Sequence, residues 1–161
     1  MTRVLLVFEH DDRGRLPDAV SAAAAAAEGA GAELRLRALE ASGARDIAWA
    51  DAMALGIDGR GAALPAQTKC WLDGLGFGGW RHLRDKPGCV FATRARGGDS
   101  AAACRMVARI LRSRGMDTVT PVELDVPGTV SGDDGGRVGA AFMRWCRRLD
   151  GSAAAHDRKV G

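Results

Sequence analysis

The 161-residue sequence has no Cys-x-x-Cys pair, no block of lysine and arginine, and no apolar stretch near its start long enough for a signal-peptide h-region. Each lack closes off a class of protein. The four cysteines, Cys70, Cys89, Cys104 and Cys146, are irregularly spaced, which argues against a zinc knuckle or a thioredoxin-type site and leaves buried or semi-buried free thiols. The formal net charge of +3 and pI near 8.9 are weakly basic. The arginines are interleaved with acids, so the electrostatic footprint expected of a nucleic-acid binder is missing. Arg105, Arg109 and Arg112 recur at helical spacing, a row that reads as a solvated helix face. The first thirty residues carry Arg3, Glu9, Asp11, Asp12, Arg13 and Arg15, which leaves no h-region for a signal peptide. No transmembrane helix and no membrane partner are expected, and the expected compartment is the cytoplasm.

A hydrophobic fraction of 47% and a charged fraction of 27% suit an ordinary globular chain. The length suits one domain, assigned to residues 1–150, with a small, polar, frayed tail over 151–161. Residues 3–8 form an apolar run ending in charge, as expected of a strand buried on both faces of a parallel sheet. Pro17-Asp18 and the Ala-rich stretch from Ala22 to Ala27 predict a helix, ended by Gly29 and Gly31. Glu33 to Leu39 alternates apolar and charged side chains, the pattern of an edge strand with one wet face. A polar stretch with room for a helical turn leads to a third, buried strand over Asp51 to Gly56.

Pro65 to Leu75 is helical in pattern, followed by a flexible connection through Gly74, Gly76, Gly78 and Gly79 that carries Phe77 and Trp80. Pro87-Gly88 announces a fourth strand over Cys89 to Thr93. Ser100 to Arg114 places Cys104, Val107, Ala108 and Leu111 on one helical face. A fifth strand is expected at Thr118 to Leu124, and a last helix at Arg137 to Leu149. Alternating strands and helices imply an α/β three-layer sandwich with a five-stranded parallel sheet in the order 2-1-3-4-5. In that order the connections reverse direction at strands one and three, and ligands bind beyond the carboxyl ends of the strands there. Three loops meet at that point: Glu9 to Arg15, Ile57 to Leu64, and Arg94 to Asp99.

The middle of the chain carries Asp51-Ala52, Gly56, Arg60, Gln67, Lys69 and Leu72-Asp73. The run Lys86, Phe91, Thr93, Gly97-Gly98 and Arg114-Gly115-Met116 follows. In residue type and order this resembles the flavodoxin and NADPH-dependent FMN reductase superfamily, nearest the quinone reductases named after the tryptophan repressor-binding protein. The resemblance covers most of residues 3–149 and is strongest over 50–121. It implies a flavodoxin-like fold, FMN as cofactor, NAD(P)H as electron donor, a quinone or similar small-molecule acceptor, and a homo-oligomer. It also implies that the first loop, with Arg13, Gly14 and Arg15, receives the FMN phosphate. The second loop, with Asp58, Gly59, Arg60 and Gly61, and the third, with Thr93, Arg94, Arg96, Gly97 and Gly98, would edge the flavin ring.

The sequence departs from the family at two of these loops. Residues 9–15 contain no serine or threonine, and Asp58 and Gly61 stand where the family has proline and an aromatic ring. Like charges about 5 Å apart at an effective dielectric near 20 repel by roughly 3 kcal/mol, so one misplaced acid costs about a hundredfold in phosphate affinity. Arg13 and Arg15 offset this, and Arg94 and Arg96 suit either an anionic ligand or a solvated turn. Glu9, His10 and Asp11 form a second candidate: carboxylates beside an imidazole for flavin-independent acid–base chemistry or for a cation. The same cluster also suits a charged surface turn at a helix start. A non-catalytic partner protein is the third reading. His82 reads as a structural or solvated histidine, and Trp71, Trp80 and Trp145 as core or subunit contacts.

Overall fold

The structure, a computed structural model, describes residues 1–9, 17–59, 63–94, 100–120 and 135–157. Strand β1 (Arg3–Phe8) lies inside the sheet because its side chains are apolar on both faces. Val4, Leu6 and Phe8 enter one core layer with β-strand periodicity, and Leu5 and Val7 enter the other. Val4, Leu5, Leu6 and Val7 are all fully buried, each contributing roughly 1.5–3 kcal/mol relative to exposure. β1 pairs in parallel with β2 (Glu33–Ala38) on one side and β3 (Ala52–Asp58) on the other. β4 (Pro87–Arg94) and β5 (Asp117–Val119) continue the sheet, giving the order β2-β1-β3-β4-β5. The expected topology and the half-wet edge strand β2 are both observed.

One face is covered by α1 (Asp18–Gly29) and α6 (Gly135–Asp157). The buried positions of α1 are Ala19, Val20, Ala23, Ala26 and Ala27. Small side chains let α6 come close: a Cβ added at Gly139 would lie 3.4 Å from the Cβ of Ala22. Phe142 fills the space above the sheet, its ring edge-on to Phe91 at 6.0 Å and tilted against Trp145 at 5.0 Å. On the opposite face lie a 3-10 turn (Leu39–Ala41), α2 (Ala44–Trp49), α3 (Ala66–Gly74), α4 (Gly76–Leu83) and α5 (Ser100–Ser113). Lys86 reaches the end of α2, donating from Nζ to the carbonyls of Ile47 and Ala50 at 2.5 Å each. Burial holds its ammonium below the usual lysine range.

Several boundaries differ from expectation. β3 runs on to Asp58, so Ile57 and Asp58, expected in the second loop, belong to the strand. The glycine-rich stretch after residue 74 is helical: Leu75 separates α3 from α4, Gly76 opens α4 at φ +57, and α4 forms because Leu83 and the preceding Leu75 are buried. Tertiary burial here outweighs weak local propensity. The last helix continues beyond Leu149 to Asp157 through Ala153-Ala154-Ala155, a strong helix-forming run. β5 ends at Val119, and residues 121–124 of the expected fifth strand lie outside the described residues. Among the described residues no helix is long and apolar enough to cross a membrane.

The four thiols are free, and only Cys70 is exposed. Burial pushes the Cys104 thiol up to about 12. A thiol reagent at neutral pH is therefore expected to label one cysteine of the native protein rapidly and all four after unfolding. At the amino end of the sheet, the Arg3 guanidinium donates to both oxygens of Asp51, the shorter contact at 2.7 Å. Hydrogen bonding from Arg3 lowers the Asp51 pKa from its unfolded value of 3.8. A depressed carboxylate contributes stability above the unfolded pKa and loses it as pH falls through the folded value. Asp51→Asn is therefore expected to lower the thermal midpoint at pH 6 and to flatten its decline below pH 4. Parallel declines in both proteins would contradict this.

Candidate functional site

The carboxyl ends of β1, β3 and β4 lie side by side where the chain departs in opposite directions from the centre of the sheet. The first residue beyond β1 is Glu9, whose backbone N–H extends the ladder by donating to the Gly56 carbonyl at 3.0 Å. Its side chain turns inward and is 5% exposed. Oε1 accepts from the Thr68 hydroxyl at 2.6 Å and from the Thr68 backbone N–H at 3.2 Å. Oε2 accepts from the backbone N–H of Asp58. Three donors thus converge on one carboxylate from the exit of β3 and the first turn of α3.

The local sequence explains why these donors are available. α3 starts after Pro65, which fits a helix start but offers no side-chain cap. The N–H groups of the first turn have no partner within the helix. Glu9 supplies the missing acceptor from 59 residues away, and its charge lies at the positive end of the α3 dipole. Hydrogen bonds to a charged group are worth roughly 1.5–3 kcal/mol each, and a buried donor left alone costs about as much.

β4 adapts to the same region by a bulge. The pairing advances from Ile57 opposite Ala92 to Asp58 opposite Arg94, so Thr93 has no residue facing it. The Thr93 hydroxyl donates to the Ile57 carbonyl at 2.9 Å and is 2% exposed. Its methyl group packs where Gly56 has no side chain: a Cβ on Gly56 would fall 2.8 Å from Thr93 Cγ2 and 3.0 Å from the Phe91 ring. Thr93, expected to touch the cofactor, has its hydroxyl committed to the sheet.

The expected site residues therefore divide into two groups. Glu9, Asp58, Gly59, Thr93 and Arg94 are brought to the adjoining ends of β1, β3 and β4; Gly59 is buried and Asp58 half-buried. Glu9, expected beside His10 and Asp11 as an acid–base group, has both oxygens engaged by donors of the chain itself. His10, Asp11, Arg13, Gly14, Arg15, Arg60, Gly61, Arg96, Gly97 and Gly98 lie outside the described residues. Thr68 is the site residue that sequence reasoning missed. Its signal was an uncapped helix start following the loop that faces an acid at the end of a wholly apolar strand.

Away from the strand exits, Trp71 and Trp145 are core residues, and Trp80 is half-buried with the Arg114 guanidinium 4.7 Å from its ring. His82 lies half-buried in the last turn of α4. A cavity of about 620 Å³ runs between α3 and the 3-10 turn, past Gln67, Cys70 and Trp71. Another, of about 590 Å³, lies at the amino end of the sheet beside Asp85, Asp117 and Trp145. Among the described residues no three His, Cys, Asp or Glu side chains gather as a metal-ligand set.

No protein-family model and no curated protein matches the sequence. Solved structures do match in shape. The chain is similar to the flavoenzyme NAD(P)H:(acceptor) oxidoreductase FerB from Paracoccus denitrificans, with a TM-score of 0.65 and 15% identity over 92% of this chain and 98% of that one. A flavodoxin from the domain Archaea matches with a TM-score of 0.62 and 13% identity over 90% and 99% of the two chains. The flavodoxin, WrbA-like protein from Agrobacterium tumefaciens matches with a TM-score of 0.59 and 17% identity over 91% and 96%. At these identities the likeness is one of fold. With a parallel sheet in the order 2-1-3-4-5 and helices on both faces, the chain has the flavodoxin-like fold.

Proposed function

We propose that the protein is an FMN-dependent oxidoreductase that takes reducing equivalents from NAD(P)H and passes them to a quinone or a similar small acceptor. The observation that carries this reading is the Glu9 carboxylate. It is the acid nearest the end of the central strand, and it is turned inward and satisfied by donors of the chain. Turned inward onto donors of the chain, this carboxylate directs its charge at the start of α3 rather than at an anionic ligand beyond the strand exits. That leaves Arg13 and Arg15 against Asp11 and Asp12 in the sequence of the first loop.

The Asp58, Thr68 and Thr93 donors are taken by the chain itself, so the backbone of the loops would have to meet a flavin. The second loop leaves β3 through buried Gly59, where no side chain separates backbone from ligand. The backbone of 59–62 and 94–98 would edge the ring, and Arg13, Gly14 and Arg15 would meet the phosphate. Bound there, the flavin would supply hydride and single-electron chemistry, while the chain would bind, orient and limit water. The neighbouring FerB fold, described as that of an NAD(P)H:acceptor oxidoreductase, supports the same reading. The flavin-independent alternative is less favoured, because both Glu9 oxygens already accept from the chain and the residue is 5% exposed.

Titration of the purified protein with FMN tests the proposal. Saturable 1:1 quenching of flavin fluorescence, with a shifted visible spectrum and NAD(P)H oxidation in the presence of a quinone, is expected. No saturable binding to folded protein would reject it.

A further inference from the structure

We propose that Glu9 is the positioning residue of this site: a built-in anion that fills the start of α3 and, through the Asp58 N–H, sets the point at which the second loop leaves β3. For its effect on ligand this rests on the flavin reading; for its effect on the chain it stands alone.

The chemistry of the pocket selects a carboxylate. Thr68 N–H and Asp58 N–H can only donate, and the Thr68 hydroxyl donates to the same oxygen as its own backbone N–H. The three hydrogen-bond partners of the side chain among the described residues are thus all donors. A carboxylate accepts at both oxygens; an amide of the same shape must turn an NH2 towards one of these donors. A buried charge is tolerated only when its lone pairs are met, and here three donors from two elements meet it. Glu9 is also nearly inaccessible to solvent, so it holds the chain rather than a diffusing partner.

Two consequences follow for the site. The first is geometric: Asp58 stands opposite Arg94 just after the Thr93 bulge, so the hydrogen bond to Glu9 fixes the last residue of β3 before the loop. The second concerns specificity. The α3 start is the kind of donor cluster that binds a phosphate or carboxylate, and the chain has already occupied it. The α3 start is therefore not free to hold the anionic end of a ligand.

The test uses the full chain with Glu9→Gln and Glu9→Ala, read by amide hydrogen exchange, formate rescue and FMN affinity. Glu9→Gln is expected to lower protection of the Asp58 and Thr68 amides at least about tenfold relative to those of Val7 and Leu55, the scale of one strong hydrogen bond. In Glu9→Ala, formate is expected to restore that protection saturably, and chloride at equal ionic strength is not. Where the parent binds FMN, Glu9→Gln is expected to bind it at least about tenfold more weakly. Protection within twofold of the parent at both amides overturns the proposal, as does equal action of formate and chloride. Unchanged FMN affinity in Glu9→Gln overturns it also. If Glu9→Ala does not fold, exchange in Glu9→Gln decides. A parent that binds no FMN defeats the flavin reading, while exchange and formate rescue still decide the role of Glu9.

Discussion

The carboxylate of Glu9 joins parts of the chain that the sheet alone leaves independent. The ladder between β1 and β3 ends at the Glu9 N–H and Gly56 carbonyl. Beyond that bond, Glu9 leads towards the first loop, Asp58 begins the second, and Thr68 belongs to a helix on the sheet's second face. One side chain, holding Asp58 and Thr68 at once, makes these three departures a single rigid corner. Its burial is tolerated because both of its oxygens accept hydrogen bonds from the chain.

The neighbouring strand shows how closely that corner is specified. Thr93 is the extra residue of the β4 bulge, and its hydroxyl repairs the ladder by serving the Ile57 carbonyl. Its methyl group occupies space that exists only because residue 56 is glycine. Gly56, Ile57, Asp58 and Thr93 therefore form a unit in which backbone direction, bulge and packing agree. A ligand at the strand exits meets a preorganised floor, the arrangement that binding sites in open α/β sheets exploit.

Much of this architecture is legible in sequence because it rests on periodicity. β1 falls on residues 3–8 as its continuous apolar run requires, and the Ala-rich stretch gives α1. The alternation of elements yields the strand order. What sequence does not carry is the partner of a group. Glu9 at the end of an apolar run reads as an acid–base candidate or a charged surface turn, since nothing near it in the chain reveals Thr68 as its donor. Thr93 reads as a ligand contact because a bulge is a property of two strands, not one. α4 is hidden by its glycines, whose weak propensity is overruled by burial of Leu75 and Leu83.

Coupling between Glu9 and Thr68 bears most directly on the corner these residues form. A double-mutant cycle of Glu9→Gln, Thr68→Val and the combined variant, followed by urea unfolding, measures it. An interaction energy of about 1 kcal/mol or more is expected for a buried, shared hydrogen bond. Additive effects of the two substitutions would contradict a Glu9 carboxylate that holds the start of α3.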